Sequence, residues 1–223
     1  MLVGQQSFSR TDMMKAQIQA TSAQLNIPHL VHFTRASNLP LIMQHGLQPA
    51  AAFARLKIAP EINDQLRLDG RLNGISTSIA LTNDRMFYRL RQKNPGVEWA
   101  VLAISRKILW EKDVLFCRHN AADTRVSRLG DEDLRSHEAF KSMFAELEDQ
   151  RSRDEQKLKP FDPTDVQAEV LVMEPIETDF IVGAAFDNSS TKSTYENFFK
   201  KTILNESGKG YFANRKYNRE YGQ

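Results

Sequence analysis

The sequence predicts an α+β domain, and three observations carry that expectation. Short apolar runs of strand length, such as residues 99–104 and 168–173, alternate with segments that carry helix caps. No regular βαβ rhythm links them, which argues against a parallel doubly wound sheet. Strong turn chemistry separates them, above all Asn94-Pro95-Gly96 and the two prolines and two aspartates of residues 159–165.

Residues 1–26 are polar and rich in Gln and Ser, and are expected to form a frayed helix or an arm ahead of a single domain over 27–223. Leu30, Val31 and Phe33 mark a short buried strand. Residues 37–47 carry helix punctuation: Ser37 or Asn38 to cap, Pro40 in the first turn, Gly46 for a left-handed stop. Residues 48–72 form a long connection with mixed helical signals, and residues 75–79 a short strand. Asn83 and Asp84 are both plausible caps for a helix from about Arg85 to Lys93. Strands are expected over 99–104 and 114–117. Residues 131–158 are charged and expected to be largely helical. The 159–165 loop then feeds a strand over 168–173, and 181–186 is one more.

Composition excludes several classes. Thirty Lys and Arg against 28 Asp and Glu give a formal charge of +2, so only the distribution of charge can point to nucleic acid. Cys117 is the one cysteine, which precludes an intrachain disulfide, and no Cys/His cluster has zinc spacing, so no metal is expected. No segment approaches the roughly 18 apolar residues of a membrane span, and the first residues lack a signal-peptide core. A cytoplasmic protein without membrane association is expected.

Three segments carry chemistry. In Gln167-Ala168-Glu169-Val170-Leu171-Val172, a carboxylate stands at the start of an apolar strand. Alternation puts Gln167, Glu169 and Leu171 on one face and Val170 and Val172 on the other. The spacing alone is equally satisfied by a strand edge in water. In His32-Phe33-Thr34, His32 and Thr34 share a face and offer donors and acceptors suited to a ribose or amide edge, although a lone histidine is more often structural. The small hydroxyl residues of Ile75-Ser76-Thr77-Ser78, Ser76 among them, are suited to a pocket wall.

The run His32-Phe33-Thr34-Arg35-Ala36-Ser37-Asn38-Leu39-Pro40-Leu41-Ile42, ending at Gly46-Leu47, resembles the N-terminal motif of DarT-type DNA ADP-ribosyltransferase toxins. Gln167-Ala168-Glu169, after a long loop, resembles that family's catalytic signature. The similarity covers most of residues 27–218, with a diverged middle. It implies a split, twisted β core with NAD⁺ bound between its halves and consumed as substrate. It implies that His32 and Thr34 contact NAD⁺, with Asn38 near the same pocket, and that Glu169 is catalytic. An essential arginine upstream of residues 75–79 is also implied: Arg67 is the better match, with Arg71 close by. Residues 153–165, including Lys159, correspond to a substrate-recognition loop, and His119 falls near a further polar site position.

These roles suit the chemistry. Opening the nicotinamide–ribose bond creates an oxocarbenium-like sugar. A fixed carboxylate on the 2′-hydroxyl gains strength as that charge develops. Arg67 would pair with the pyrophosphate, and Gln167 could orient the amide edge of a base. Arg85, Arg89 and Lys93 recur at helical spacing, and Tyr211 and Arg215 belong to a basic and aromatic C-terminus, so both suit single-stranded DNA, whose bases are exposed. Each patch is also what a solvated surface looks like. Residues 75–78 and 117–122 depart from the thymidine-modifying members, which inclines the expected acceptor to guanine over thymine. A toxin further implies an antitoxin that removes ADP-ribose. The alternatives are a transferase of the same fold acting on RNA or protein, and an inactive nucleic-acid-binding module.

Overall fold

A computed structural model describes residues 9–62 and 70–222. In chain order its first half contains α1 (Arg10–Gln24), β1 (Leu30–Arg35), α2 (Leu39–His45), α3 (Phe53–Leu56), β2 (Ile75–Ile79), α4 (Asp84–Lys93) and β3 (Trp99–Ile104). Then come α5 (Ile108–Glu111), β4 (Val114–Cys117), α6 (Thr124–Ser127), α7 (Asp131–Leu134) and α8 (His137–Ser142). The chain closes with β5 (Glu169–Val172), β6 (Ile181–Phe186), α9 (Ser189–Tyr195), β7 (Thr202–Leu204) and α10 (Arg215–Glu220).

The strands form one sheet in the order β4-β5-β2-β1-β3-β6-β7, antiparallel except for the β6–β7 pair. Alternating side chains of β1 and β3 feed cores on both faces. Leu30, Leu102 and Ile104 join the larger core with Ile42, Val170 and Phe186. Val31 and Val101 join Phe87, Trp99 and Phe212 on the other side, where α4 packs. The expected α+β class is what the chain adopts.

The two central strands, β1 and β2, share only a short ladder. β1 and β2 pair only at Leu30↔Ile79 and Val31↔Ser78. Beyond that point His32–Arg35 of β1 stay with β3, while Ile75–Thr77 of β2 stay with β5. The sheet therefore splits between its two central strands. The imidazole of His32 spans the gap, its Nδ1–H donating to the Ser76 carbonyl at 2.8 Å.

Several elements differ from the sequence expectation. α1 meets the helix alternative for residues 1–26 but is capped rather than frayed, with Ser9 accepting from the Asp12 amide, and it lies against α5 and α8 with Ile18 and Ser22 buried. In the 131–158 segment helix ends at Ser142 and turns follow, because the half-buried Arg153 and the buried Thr164 draw the chain into a loop instead. β7 escaped the reading: its three residues are too few to show alternation. Pro40 sits in the first turn of α2 as expected, and Gly46 ends it at φ +74°. A Cβ at Gly46 would lie 2.5 Å from the Ile176 carbonyl oxygen, so the position requires glycine twice over. Neither Ser37 nor Asn38 caps α2; a 3₁₀ turn over Ala36–Asn38 runs directly into it, leaving the Asn38 amide for another task. Asn83 does cap α4, accepting from the Met86 amide at 3.1 Å. Among the described residues no helix is long and apolar enough to cross a membrane.

Candidate active site

The split in the sheet opens into a cleft of about 490 Å³. His32, Phe33 and Thr34 of β1 line one wall, and Gly74, Ile75 and Ser76 the other. Gln167, Glu169 and Asn120–Ala122 close one end. Met86, Arg89, Leu90 and Lys93 of α4 border the cleft as well, and residues 58–62 lie along it. The volume is that of a site for a small-molecule ligand.

Glu169 is the first residue of β5, paired with Cys117 of β4. Its neighbours Val170 and Val172 are locked in the core, so its backbone is fixed by packing. The residue is only 6% exposed yet lines the cleft. Oε1 accepts from Asn120 Nδ2 at 2.7 Å, and Asn120 Oδ1 in turn accepts from the Ala122 amide at 3.0 Å. A buried carboxylate held by a charge-assisted bond is preorganised to face developing positive charge.

Gln167 lies in the turn before β5, not in the strand, and lines the same cleft. Its backbone N–H donates to Asp165 Oδ1 at 2.9 Å, and the other Asp165 oxygen lies 2.7 Å from His119 Nδ1. His32 is held below the usual imidazole range chiefly by burial, against the opposing effect of its bond to Ser76. The carbonyl partner requires the proton on Nδ1, so neutral His32 presents a bare Nε2 acceptor.

The structure thus brings His32, Thr34, Ser76, Gln167, Glu169 and Arg89 to one cleft, with Asn38. Thr34 and Asn38 are both buried, and Asn38 is a clamp. Its Nδ2 donates to Thr34 Oγ1 and to the Glu61 carbonyl, at 3.1 and 3.0 Å, while its Oδ1 accepts from the Glu61 amide at 2.8 Å. Arg35 and Ser37 both reach the Glu61 carboxylate, so β1 and the start of α2 hold residue 61 against the cleft.

Other expected site residues stand elsewhere. Arg67 lies outside the described residues. Arg71 turns to α7, with Nε on Asp131 Oδ1 at 3.0 Å and Nη2 on the Leu129 carbonyl at 3.0 Å, and does not line the cleft. His119 is buried against Asp165, where it braces the chain below Gln167. Arg85 is exposed on α4 outside the cleft lining, one turn from Arg89. Lys159 is exposed beside the Phe161 ring. Tyr211 shares a 2.7 Å hydrogen bond with His29 Nε2, and Arg215 is buried and donates to the Pro163 and Thr164 carbonyls. Tyr211 thus ties its segment to the residue before β1, and Arg215 ties α10 to the 163–164 backbone. Asn120 and Glu61 escaped the sequence reading; an asparagine in a polar run carries no signal of which distant carboxylate it will meet.

Residues 31–211 match the family described as ssDNA thymidine ADP-ribosyltransferase, DarT. No curated protein matches the chain. Among solved structures, Thermosipho africanus DarTG in complex with ADP-ribose aligns over 79% of this chain and 50% of its own, with 18% identity and a TM-score of 0.54. Thermus sp. 2.9 DarT in complex with carba-NAD⁺ aligns over 80% and 95%, with 12% identity and a TM-score of 0.51. This chain therefore spans half the length of the Thermosipho chain.

Proposed function

The chain belongs to the DarT family of single-stranded DNA ADP-ribosyltransferases, and from that premise we propose that its cleft binds NAD⁺ and delivers ADP-ribose to a base through Glu169. One observation carries the reading: the most enclosed acidic group of the cleft is Glu169, oriented by Asn120. In this mechanism the Glu169 carboxylate accepts the ribose 2′-hydroxyl and stabilises the charge that grows at C1′ as the bond to nicotinamide opens. The incoming base donates its lone pair to C1′, and its proton passes to Glu169. Gln167 offers both a donor and an acceptor to the amide edge of that base. His32 presents Nε2 to a hydroxyl donor of the cofactor, beside Ser76. Arg89 and Lys93, with Arg85 one turn away, supply positive charge for the backbone of a single strand. Arg67 is the arginine assigned to the pyrophosphate.

NAD⁺ binding is supported by the Thermus relative, solved in complex with carba-NAD⁺ and similar in fold. The family's description names thymidine, whereas the departures at residues 75–78 and 117–122 favour guanine; mass spectrometry of nucleosides from a modified oligonucleotide names the base. We assign the protein the role of a toxin countered by an antitoxin that removes ADP-ribose, acting in the cytoplasm. The deciding experiment is Glu169→Ala: the fold is retained, because Val170 and Val172 still pack, and NAD⁺-dependent labelling of single-stranded oligonucleotides is lost. Full labelling by that variant rules out the role given to Glu169.

A further inference from the structure

The family match ends at residue 211, yet beyond it the chain forms α10, with two arginines turned inward. Arg215 is 7% exposed and donates through Nη1 to the Pro163 carbonyl and through Nη2 to that of Thr164, the latter at 2.9 Å. Arg219 forks through Nε and Nη2 onto the two oxygens of Asp162, which is 1% exposed. Asp162 also accepts from the Lys159 amide at 2.8 Å. From within the loop, Arg153 donates to the Asp162 and Lys159 carbonyls at 2.7 and 3.0 Å. Three guanidiniums therefore satisfy the acceptors of one turn, in the planar fork geometry that lysine cannot copy.

This turn leads straight into the cleft. Asp165 follows it and holds the backbone N–H of Gln167, two residues ahead of Glu169. α10 is in turn fastened to α4, the Arg215 amide donating to the Asp84 carboxylate. Arg91 of α4 donates to the Phe212 carbonyl at 2.7 Å. The basic helix bordering the cleft and the loop before Gln167 are thus tied through one terminal helix.

We propose that α10 is a latch that holds residues 153–165 in the geometry in which a DNA base, rather than water, receives the ribose. Arg215 and Arg219 are positioning residues; neither lines the cleft. The inference rests on the transferase reading above. In either outcome the C1′–nitrogen bond breaks and nicotinamide leaves with the electron pair. The acceptor then forms the new bond to C1′ and yields a proton to Glu169. A base as acceptor gives modified DNA, and water gives free ADP-ribose. Because α10 acts on the loop, while Glu169 is paired with Cys117 and the rest of β5 is held between β4 and β2, loosening the latch frees the acceptor while leaving bond opening intact.

Full-length Arg219→Gln and Arg219→Lys are compared with the unaltered protein, measuring released nicotinamide and modified oligonucleotide in the same reaction. The expected result is a transfer-to-hydrolysis ratio lowered about tenfold in Arg219→Gln and less in Arg219→Lys, with the KM for NAD⁺ unchanged. Arg219→Lys keeps the charge beside Asp162 and serves where the glutamine variant does not fold, as judged by circular dichroism. A folded lysine variant with the unaltered ratio overturns the latch. Absence of nicotinamide release from the unaltered protein sinks the transferase reading itself, and the latch with it.

Discussion

Asn120→Ala isolates the hydrogen bond that aims the carboxylate to which catalysis is assigned. Asn120 Nδ2 lies 2.7 Å from Glu169 Oε1, a short bond from a neutral donor to an ionised acceptor. Such bonds contribute about 1.5–3 kcal/mol. If the full amount acts in the transition state, kcat falls about 10- to 150-fold. Asn120 is only partly buried, so water replaces part of the lost bond and the lower end of that range is expected. Asn120→Asp refines the test. It keeps the acceptor for the Ala122 amide, 3.0 Å away, but sets a second carboxylate against Glu169, so it is expected to be slower than Asn120→Ala. The assay is single-turnover labelling of a single-stranded oligonucleotide at saturating NAD⁺, with melting temperature recorded for each variant. A double variant with Glu169→Ala completes a cycle. If Asn120 works through Glu169, the double variant is no slower than Glu169→Ala alone. Unaltered kcat in Asn120→Ala, or a loss that adds in full to that of Glu169→Ala, refutes the assignment.

Acid sensitivity follows from His32, whose folded pKa is pushed below the ordinary 6.5 mainly by burial. A depressed value means that its contribution to stability is complete above 6.5 and is lost as pH falls through the folded value. The melting temperature of the unaltered protein is therefore expected to drop more between neutral and mildly acidic pH than that of His32→Gln, and equal slopes in thermal melts contradict this. His29, also lowered by burial, adds to the same trend in both proteins. On α4, replacing Arg85, Arg89 and Lys93 by Gln is expected to flatten the slope of log affinity against log salt by about 2 for single-stranded DNA. Fluorescence anisotropy of a labelled oligonucleotide reads that slope, and an unmoved value removes α4 from the DNA path.

The parts of this protein legible in its sequence are those written in local backbone preference. Asn83 capping α4, Gly46 stopping α2, and the alternation of β5 that sends Val170 and Val172 into the larger core each depend on residues within a turn or two. Resemblance in two ordered motifs supplied the family. The partner of each polar group was decided elsewhere. Asn120 and Glu169 stand 49 residues apart, and Arg215 and Pro163 stand 52 apart. Only the pairing of β4 with β5, and the folding of α10 onto the loop, brings them together. The same distance explains why Asn38 holds residue 61 instead of capping a helix, and why Arg215 is buried while Arg89 borders the cleft. In composition the basic patches look alike. Which one faces solvent depends on where unsatisfied carbonyls lie in the folded chain, and the cost of leaving such groups buried without a partner decides the matter.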